Sequence, residues 1–296
     1  MINDEVWQMI RTPDGRSLEV VSQGPADALP LVFHGGTPVA AVLYPPIVDA
    51  AIESGLRFIT YSRPGYATSD PAPGRTVADA AGDVVAVLDE LGIDRFVTIG
   101  WSGGGPHALA CAALLPDRCA AAATIAAVAP YPAEGIDWLA GMGEENIEEY
   151  GAALQGEDAL SAYLDEEAVG LSQVTATDLD DALGDLVSDV DRASLTGKFA
   201  EWAAASFRKA VSTGIAGWRD DDLAFVKPWG FEVAKIERPV ALWQGAQDRM
   251  VPFSHGQWLA AHVPTAKPRL LEGEGHLSVG VGAFGQIVDD VIRLAR

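Results

Sequence analysis

The sequence predicts an α/β protein with a mostly parallel central sheet, flanking helices and an inserted all-helical segment. Two observations support this prediction. In the first and last thirds of the 296-residue chain, short apolar runs alternate with longer stretches of helical spacing. Strands that are apolar on both faces and separated by helices are typical of a parallel sheet covered on both sides. Between these two parts, about a hundred residues show helical spacing and no clear strand before residue 239.

The elements follow in order from a predicted hairpin at the start of the chain. Residues 6–10 and 17–21 flank Pro13-Asp14-Gly15, where Pro fixes φ and Gly accepts a positive φ. Further strands are predicted at 31–33, 57–61, 96–99, 240–243 and 269–271, and helices at 39–54, 76–91, 106–115, 254–262 and 284–294.

The helical insertion divides the predicted domains. We expect a core domain of residues 1–130 and 231–296, and a helical cap, or lid, of residues 131–230. From Glu134 to Asp191 the chain has 17 Asp and Glu residues and no Lys or Arg. Such a run is typical of the solvated outer face of helices. The alternative is an acidic gate that favours neutral or cationic substrates.

Composition excludes several classes of function. Hydrophobic residues make up 49% of the chain, as expected of a folded globular protein. The 20 Lys and Arg stand against 42 Asp and Glu, which gives a net charge of −22. Nucleic acids and anionic bilayers need clustered Lys and Arg. We therefore expect a small-molecule substrate as the partner, with no nucleic acid and no membrane, and leave a homodimer open.

Location and redox chemistry also follow from composition. Residues 1–8 contain neither the basic nor the apolar region of a secretory signal, and the chain has no long uninterrupted apolar run. This predicts a cytoplasmic protein. The two cysteines, Cys111 and Cys119, suggest no disulfide framework or zinc site, so we expect buried structural thiols. We expect no cofactor and no metal.

The strongest chemical motif is G-x-S-x-G at residues 100–104, with Ser102 at its centre. It lies directly after one predicted strand and before a predicted helix. In this context small residues at Gly100 and Gly104 let a sharp turn close, and the serine hydroxyl is held above the sheet at the N-terminal end of a helix. Ser102 is therefore the candidate nucleophile.

A serine nucleophile needs a base and an orienting acid. Of the five histidines, His276 is the candidate base because it follows the last predicted strand in a Gly-rich loop. We expect the other four (His34, His107, His255 and His262) to lie in packing, surface or loop positions. Asp248, in the loop after another strand, is the candidate acid, with Glu134 as the alternative. The order Ser102, Asp248, His276 is the one expected on a hydrolase sheet.

Backbone amides must also bind the oxyanion of the tetrahedral intermediate. One donor is expected from Gly103. The other is expected from the loop His34-Gly35-Gly36-Thr37-Pro38, where Gly36 and Thr37 are alternatives and Thr37 is preferred.

The predicted substrate pocket comprises His34, Trp101 and Trp138. Tryptophans at 101, 138, 202, 218 and 229 fit either an aromatic wall around an acyl or aryl group or ordinary packing.

These motifs together resemble the α/β-hydrolase superfamily, in particular its capped, cofactor-free proline-iminopeptidase-like, esterase-like and haloperoxidase-like members. The resemblance rests on residues 34–38, 63–69, 100–104, 245–252 and 273–276. It implies the α/β-hydrolase fold, a Ser-His-Asp triad and a structural loop at 63–66 beside the pocket. The activity it implies is that of a serine hydrolase, which would cleave a small carboxylic ester through an acyl-enzyme.

Other activities on the same fold stay open. Dehalogenases and epoxide hydrolases of this fold use an Asp nucleophile, so Ser102 argues against both. A proline-iminopeptidase-like aminopeptidase, whose cap carboxylates would hold a free ammonium group, is the main alternative. A lyase and a non-catalytic ligand-binding protein are the others.

Overall fold

The computed structural model describes residues 5–296. Residues 1–4, which begin the stretch considered above as a secretory signal, lie outside the described residues. An eight-stranded sheet forms the centre, in the order β1-β2-β4-β3-β5-β6-β7-β8. Its strands are β1 (Val6–Arg11), β2 (Ser17–Gln23), β3 (Leu29–His34), β4 (Leu56–Tyr61), β5 (Phe96–Trp101), β6 (Cys119–Ile125), β7 (Val240–Gly245) and β8 (Ala266–Leu271). From β4 through to β8 every neighbouring pair is parallel, and only the pairs that involve β2 are antiparallel. The α/β-hydrolase fold with a mostly parallel sheet is thus confirmed.

Eleven α-helices accompany this sheet within residues 5–296. They are α1 (Pro45–Glu53), α2 (Asp79–Glu90), α3 (Gly104–Leu114), α4 (Glu144–Gln155), α5 (Glu157–Leu171), α6 (Leu179–Leu183), α7 (Asp189–Arg192), α8 (Gly197–Ala210), α9 (Ala216–Phe225), α10 (Phe253–His262) and α11 (His276–Leu294). The six helices α4 to α9 lie between β6 and β7 in the chain, and we refer to them as the inserted helices.

Alternating strand residues divide the core into two layers. Val32 and Leu242 belong to a cluster that includes α2, α3 and α10. Their chain neighbours Phe33 and Trp243 belong to a second cluster that includes α1 and α11. Successive side chains of a strand point to opposite faces, so apolar runs bury both faces of the sheet. This arrangement is the physical reason that the predicted strands show no polar alternation.

Several predicted boundaries are wrong. The helix expected at 39–54 begins only at Pro45, because two consecutive prolines fit the first turn of a helix and not its interior. The helix expected at 106–115 begins at Gly104. The last helix begins at His276 and not at residue 284, so His276 is a helical residue. Glycines near its start interrupt the apolar pattern by which that helix was recognised.

Two further expectations concern the cysteines and the membrane. Cys111 and Cys119 are buried free thiols, as predicted. Burial raises the pKa of Cys119 to about 12. None of the described helices combines the length and the apolar character needed to span a bilayer.

We expect Gly280→Ala to destabilise the fold, because a Cβ at this position of α11 would lie 2.2 Å from the Trp101 ring. Overpacking of this kind costs about 1 to 3 kcal/mol of unfolding free energy. The matched control is Gly282→Ala on the same helix, where a Cβ meets nothing within 4 Å. That change should be neutral or stabilising by up to about 1 kcal/mol, because Ala favours helices. Urea unfolding of the two variants measures the difference, and equal effects would contradict this packing.

Candidate functional site

Ser102 lies in the turn between β5 and α3, at the edge of the sheet where the parallel strands end. Its φ of +55° is in the left-handed region, which is unusual for a residue with a side chain. A Cβ at Gly100 would lie 2.1 Å from the carbonyl oxygen of Gly104, and a Cβ at Gly104 would lie 2.1 Å from that of His34. Only glycine fits at both positions, so the G-x-S-x-G spacing follows from how tightly this turn closes.

His276 and Asp248 form a buried pair beside this turn. His276 Nδ1 lies 2.9 Å from Asp248 Oδ2, and both side chains are almost fully buried. Asp248 is itself held by the backbone N–H groups of Met250 and Val251, which donate to Oδ1 at 2.9 and 2.7 Å. Because a carboxylate only accepts hydrogen bonds, Nδ1 carries a proton in this pair. In the neutral imidazole the other ring nitrogen, Nε2, can then accept a proton.

Two opposing effects act on the His276 imidazole. Burial alone would lower its pKa, because charged groups are poorly solvated in the interior. The charge and hydrogen bond of Asp248, with the charge of Asp191, outweigh burial and raise the pKa of His276 above its ordinary value. The environment therefore favours formation of an imidazolium.

The glycine-rich loop after β3 lies against the Ser102 turn. A Cβ at Gly36 would be 3.2 Å from Ser102 Cβ, and a Cβ at Gly103 would be 2.4 Å from Thr37 Oγ1. Both of the residues considered as oxyanion donors, Gly36 and Thr37, are thus close to the nucleophile turn, and both alternatives stay open.

The side chain of Arg63 holds this loop in place through hydrogen bonds. Its guanidinium donates to the carbonyl oxygens of Gly35 and Gly36 at 2.6 and 2.7 Å, and to Thr37 Oγ1 at 3.1 Å. The same guanidinium forms an ion pair with Asp221 of α9, 2.6 Å long. The inserted helices therefore contribute a carboxylate to the support of the loop.

Asp221 is a fully buried carboxylate with several partners. Arg75 Nη1 donates to its Oδ1 at 2.7 Å, and the hydroxyls of Tyr66 and Thr37 donate to its Oδ2 at 2.9 Å. Burial would raise the pKa of Asp221, but the charges of Arg63 and Arg75 hold it well below the ordinary value. Asp221 is therefore a permanent anion at the junction between the sheet and the inserted helices.

One cavity of about 170 Å³ joins Ser102 and His276. Its lining is largely apolar and includes Trp101, Leu183, Phe199, Trp202, Phe207 and Trp218. Three glutamates, Glu145, Glu149 and Glu167, also line it, whereas none of its described lining residues is Lys or Arg. The cavity thus combines an aromatic wall with three carboxyl groups, and burial raises the pKa of two of them, Glu145 and Glu149.

The predicted pocket residues are placed differently from one another. Trp101 lines the cavity, but His34 and Trp138 do not. His34 is the last residue of β3, and the residue before it, Phe33, lines the cavity. Because successive side chains of a strand point to opposite faces, His34 lies on the other face of the sheet, where it packs against Tyr61. Trp138 instead packs against His255 and donates to the Ala129 carbonyl at 2.8 Å. Of the other tryptophans considered, Trp202 and Trp218 line the cavity, and Trp229 does not.

The remaining histidines do not compete with His276. Burial lowers the pKa of His34 to about 3 and that of His255 to about 4, and it also lowers the pKa of His107. His262 is exposed on α10. The side chain of Glu134, the alternative acid, is exposed, and the acid that contacts His276 is Asp248.

Sequence reasoning missed two buried carboxylates that the inserted helices contribute, those of Asp221 and Asp191. Asp221 stands in the run Asp220-Asp221-Asp222, and nothing in that run marks the middle residue as buried. Asp191 is also fully buried and accepts the backbone N–H of His276 at 2.9 Å. Its only local signal is Ser188, three residues earlier, a spacing that indicates a helix start. Contacts over such distances in the chain leave no trace in a local pattern.

We expect Asp221→Ala to lower the unfolding free energy by about 3 kcal/mol or more, because it leaves the Arg63 and Arg75 charges without their buried partner. The comparison variant is Glu201→Ala, an exposed position on α8, which should change stability by less than about 0.5 kcal/mol. Denaturant unfolding measures both. A loss at Asp221 no larger than at Glu201 would contradict the structural role given to this ion pair.

Comparisons with known proteins agree with this architecture. The sequence model of the family described as alpha/beta hydrolase fold matches residues 30–283. A non-heme chloroperoxidase from Streptomyces lividans is 34% identical over 158 residues, which cover 53% of this chain and 57% of that protein. The chain thus spans little more than half the length of that relative.

Two further comparisons extend over nearly the whole chain. A 2-hydroxy-6-oxononadienedioate/2-hydroxy-6-oxononatrienedioate hydrolase from Cupriavidus pinatubonensis is 25% identical over 285 residues, which cover 88% of this chain and 86% of that protein. The crystal structure of a hydrolase from Pseudomonas aeruginosa PA01 has a TM-score of 0.69 at 24% identity, with 97% and 98% of the two chains covered. Because the family model matches most of its length, this chain belongs to the α/β-hydrolase family.

Proposed function

We propose that the chain is a serine hydrolase that cleaves a small-molecule carboxylic ester through an acyl-enzyme. The observation that supports this most strongly is the opening of Ser102 and His276 into one cavity, with His276 Nδ1 held 2.9 Å from Asp248. A nucleophile, a base and a buried acid that orients the base are the parts that acyl transfer requires.

In the first half of the proposed reaction, His276 Nε2 takes the hydroxyl proton as Ser102 Oγ attacks the ester carbonyl. The backbone N–H of Gly103, with that of Thr37 or Gly36, would bind the oxyanion. The imidazolium then gives its proton to the departing alkoxide, which leaves as the alcohol. Ser102 is left as an acyl ester.

In the second half, His276 takes a proton from water, and the resulting hydroxide attacks the acyl-enzyme carbonyl. Collapse of the second tetrahedral intermediate breaks its bond to Ser102 Oγ, which recovers a proton from His276. The carboxylic acid is released and the free enzyme restored. Asp248 stays ionised throughout and stabilises the imidazolium in both halves.

We further propose that residues 131–230 act as a cap that forms the acyl pocket. Phe199, Trp202 and Phe207 of α8 line the cavity that Ser102 opens into. An apolar cavity of about 150 Å³ is large enough to hold benzene. The similar space here suits a short acyl or a single aryl group.

The charge of the lining argues for esters without an acidic group. Glu145, Glu149 and Glu167 face the cavity, and each of them repels a substrate carboxylate when it is ionised. Burial raises the pKa of Glu145 and Glu149, and a second anion beside them would raise it further, at a cost to binding of that anion. The relative from Cupriavidus pinatubonensis is named for a dioate, a dianion. We infer that this chain differs from that relative in substrate charge, and that its preferred esters are neutral or cationic.

A second candidate is an aminopeptidase, which the same glutamates favour. Glu149 Oε1 accepts a hydrogen bond from Trp218 Nε1 at 2.8 Å, which fixes that carboxyl group in the cavity wall. Burial raises the pKa of Glu149, and a substrate ammonium group at this place would favour its ionised form. Amino-acid anilides with a free amine, compared with N-blocked anilides and p-nitrophenyl esters, separate the two activities. Turnover confined to free-amine anilides would favour the peptidase and count against the esterase.

We expect Ser102→Ala to reduce turnover of p-nitrophenyl esters at least about a thousandfold, because the nucleophile is removed while binding and the oxyanion donors remain. Labelling by a fluorophosphonate should be lost in the same variant. Circular dichroism of the variant serves as the control for folding. Near wild-type turnover with the fold intact would exclude Ser102 as the nucleophile.

We expect the double variant Glu145→Gln/Glu167→Gln to raise kcat/KM for an anionic ester relative to a neutral one by about tenfold, because two charges are removed from the cavity lining. The matched control is Glu148→Gln/Glu166→Gln. These residues are exposed neighbours on the same two helices, and the chain's net charge changes equally. p-Nitrophenyl butyrate and p-nitrophenyl hemisuccinate form the substrate pair. The same ratio in both double variants would show that the lining does not select charge.

A further inference from the structure

The carboxylate of Asp191, on the short helix α7, lies at the N-terminus of α11. Its Oδ2 accepts the backbone N–H of His276 at 2.9 Å, and its Oδ1 accepts those of Leu277 and Ser278 at 2.7 and 2.9 Å. The first N–H groups of a helix have no partner within the helix. One side chain from the inserted helices therefore satisfies three of them, starting with that of the candidate base.

The position of Asp191 is closely determined. Its side chain is fully buried, and Ser188 Oγ donates to its Oδ2 at 2.9 Å. A Cβ at Gly275 would lie 2.3 Å from Asp191 Oδ2, so the residue before His276 leaves room for this carboxylate only because it is glycine. Asp248 accepts the hydrogen bond of the His276 imidazole, and Asp191 accepts the hydrogen bond of the His276 backbone N–H.

The electrostatic consequence follows from where His276 lies. The N-terminus of a helix carries a partial positive charge, which opposes a cationic group there. His276 is the first residue of α11, so its imidazolium would meet that field. A negative carboxylate on the same N–H groups offsets it.

We propose that Asp191 is a positioning residue for ester hydrolysis: it fixes the main chain of His276 and offsets the helix field, so that the imidazolium can form. This inference rests on the proposed function, in which His276 is the base. Asp191 does not line the cavity that Ser102 and His276 share, and it acts on the reaction through the main chain that carries His276.

The direction of the expected pH effect follows from the groups that act on His276. Burial lowers its pKa, and the carboxylates of Asp248 and Asp191 raise it. Hydrolysis needs the neutral imidazole as base, so kcat/KM falls as the pH drops through this pKa. Removing the charge of Asp191 lowers the pKa of His276, and the acidic limb of the profile then moves to lower pH.

The test is Asp191→Asn, which keeps the shape of the side chain. The carbonyl oxygen of the amide can still accept from Leu277 and Ser278, whereas its NH₂ group cannot accept from His276. We expect the acidic limb of kcat/KM to move down by about one pH unit. We also expect kcat to fall about tenfold, with KM changed by less than about twofold. Active sites are counted with a fluorophosphonate, so that unfolded protein does not enter kcat.

The matched control is Asp189→Asn, an exposed residue on the same helix and the same change of charge. Its profile should match the wild type, because charges in solvent are screened. A second variant, Gly275→Ala, displaces the Asp191 carboxylate and keeps its charge. It should lower kcat and move the limb in the same direction by a smaller amount. An unshifted limb in Asp191→Asn, or an equal shift in Asp189→Asn, would overturn the proposal.

A direct titration separates this inference from the proposed function. The imidazole of His276 is followed by ¹⁵N NMR in Ser102→Ala protein, with and without Asp191→Asn. A lowered His276 pKa in the double variant supports the role of Asp191 even if no ester is turned over, a result that would count against the esterase alone. An unchanged His276 pKa overturns the role of Asp191 even if the wild type is an active esterase.

Discussion

The architecture of the site depends on one buried ion pair, between Arg63 in the loop after β4 and Asp221 in α9. Two charges without access to water are stable only when their geometry and remaining hydrogen bonds are nearly complete. Here Arg75, Tyr66 and Thr37 complete the set around the carboxylate. The same guanidinium holds the carbonyl groups of the glycine-rich loop. The pair therefore fixes, at one point, the loop proposed to hold the oxyanion and the helices proposed to form the cap.

The carboxyl groups of this protein show how the local environment determines the pKa of a side chain. The net charge of −22 arises from 42 acidic residues, most of which are simply solvated. Asp221 is held ionised by two guanidinium groups. Its neighbour Asp222 is equally buried, and burial, together with the nearby Glu149 and Asp221, raises its pKa. Asp222 shares a side-chain hydrogen bond with Glu149, which two carboxyl groups can form only when one of them keeps its proton. The pKa values of these adjacent aspartates thus shift in opposite directions, because only Asp221 forms ion pairs with guanidinium groups.

Local patterns were sufficient for the sheet and for the residues at its strand ends. Strands that are apolar on both faces indicated the parallel sheet, and the glycines around Ser102 indicated a turn that the structure shows no other residue can make. His276 and Asp248 were found because each follows a strand, and the ends of parallel strands meet at one edge. The catalytic roles of all three are still part of the proposal.

Contacts between distant parts of the chain could not be predicted in this way. The sequence places His34 in the loop after β3 and so beside the pocket, whereas it is the last residue of β3 and its side chain lies on the other face of the sheet. The sequence places the start of α11 eight residues too late, because the glycines in its first turns resemble a loop, although one of them, Gly280, makes room for Trp101. The acidic stretch indicates charge and helices, and apart from Ser188 three residues earlier nothing in it distinguishes the buried Asp191 from the exposed Asp189.

Two buried aspartates of the inserted helices, Asp221 and Asp191, bear on how this fold could be engineered. Asp221 holds the glycine-rich loop through its ion pair with Arg63, and Asp191 accepts hydrogen bonds from the first turn of α11. The sheet and the inserted helices therefore both support the groups at the candidate site. Deleting the segment would remove supports from the sheet's own loops as well as a wall of the cavity. A chimera that takes this segment from another protein would have to supply two carboxylates at the same two places.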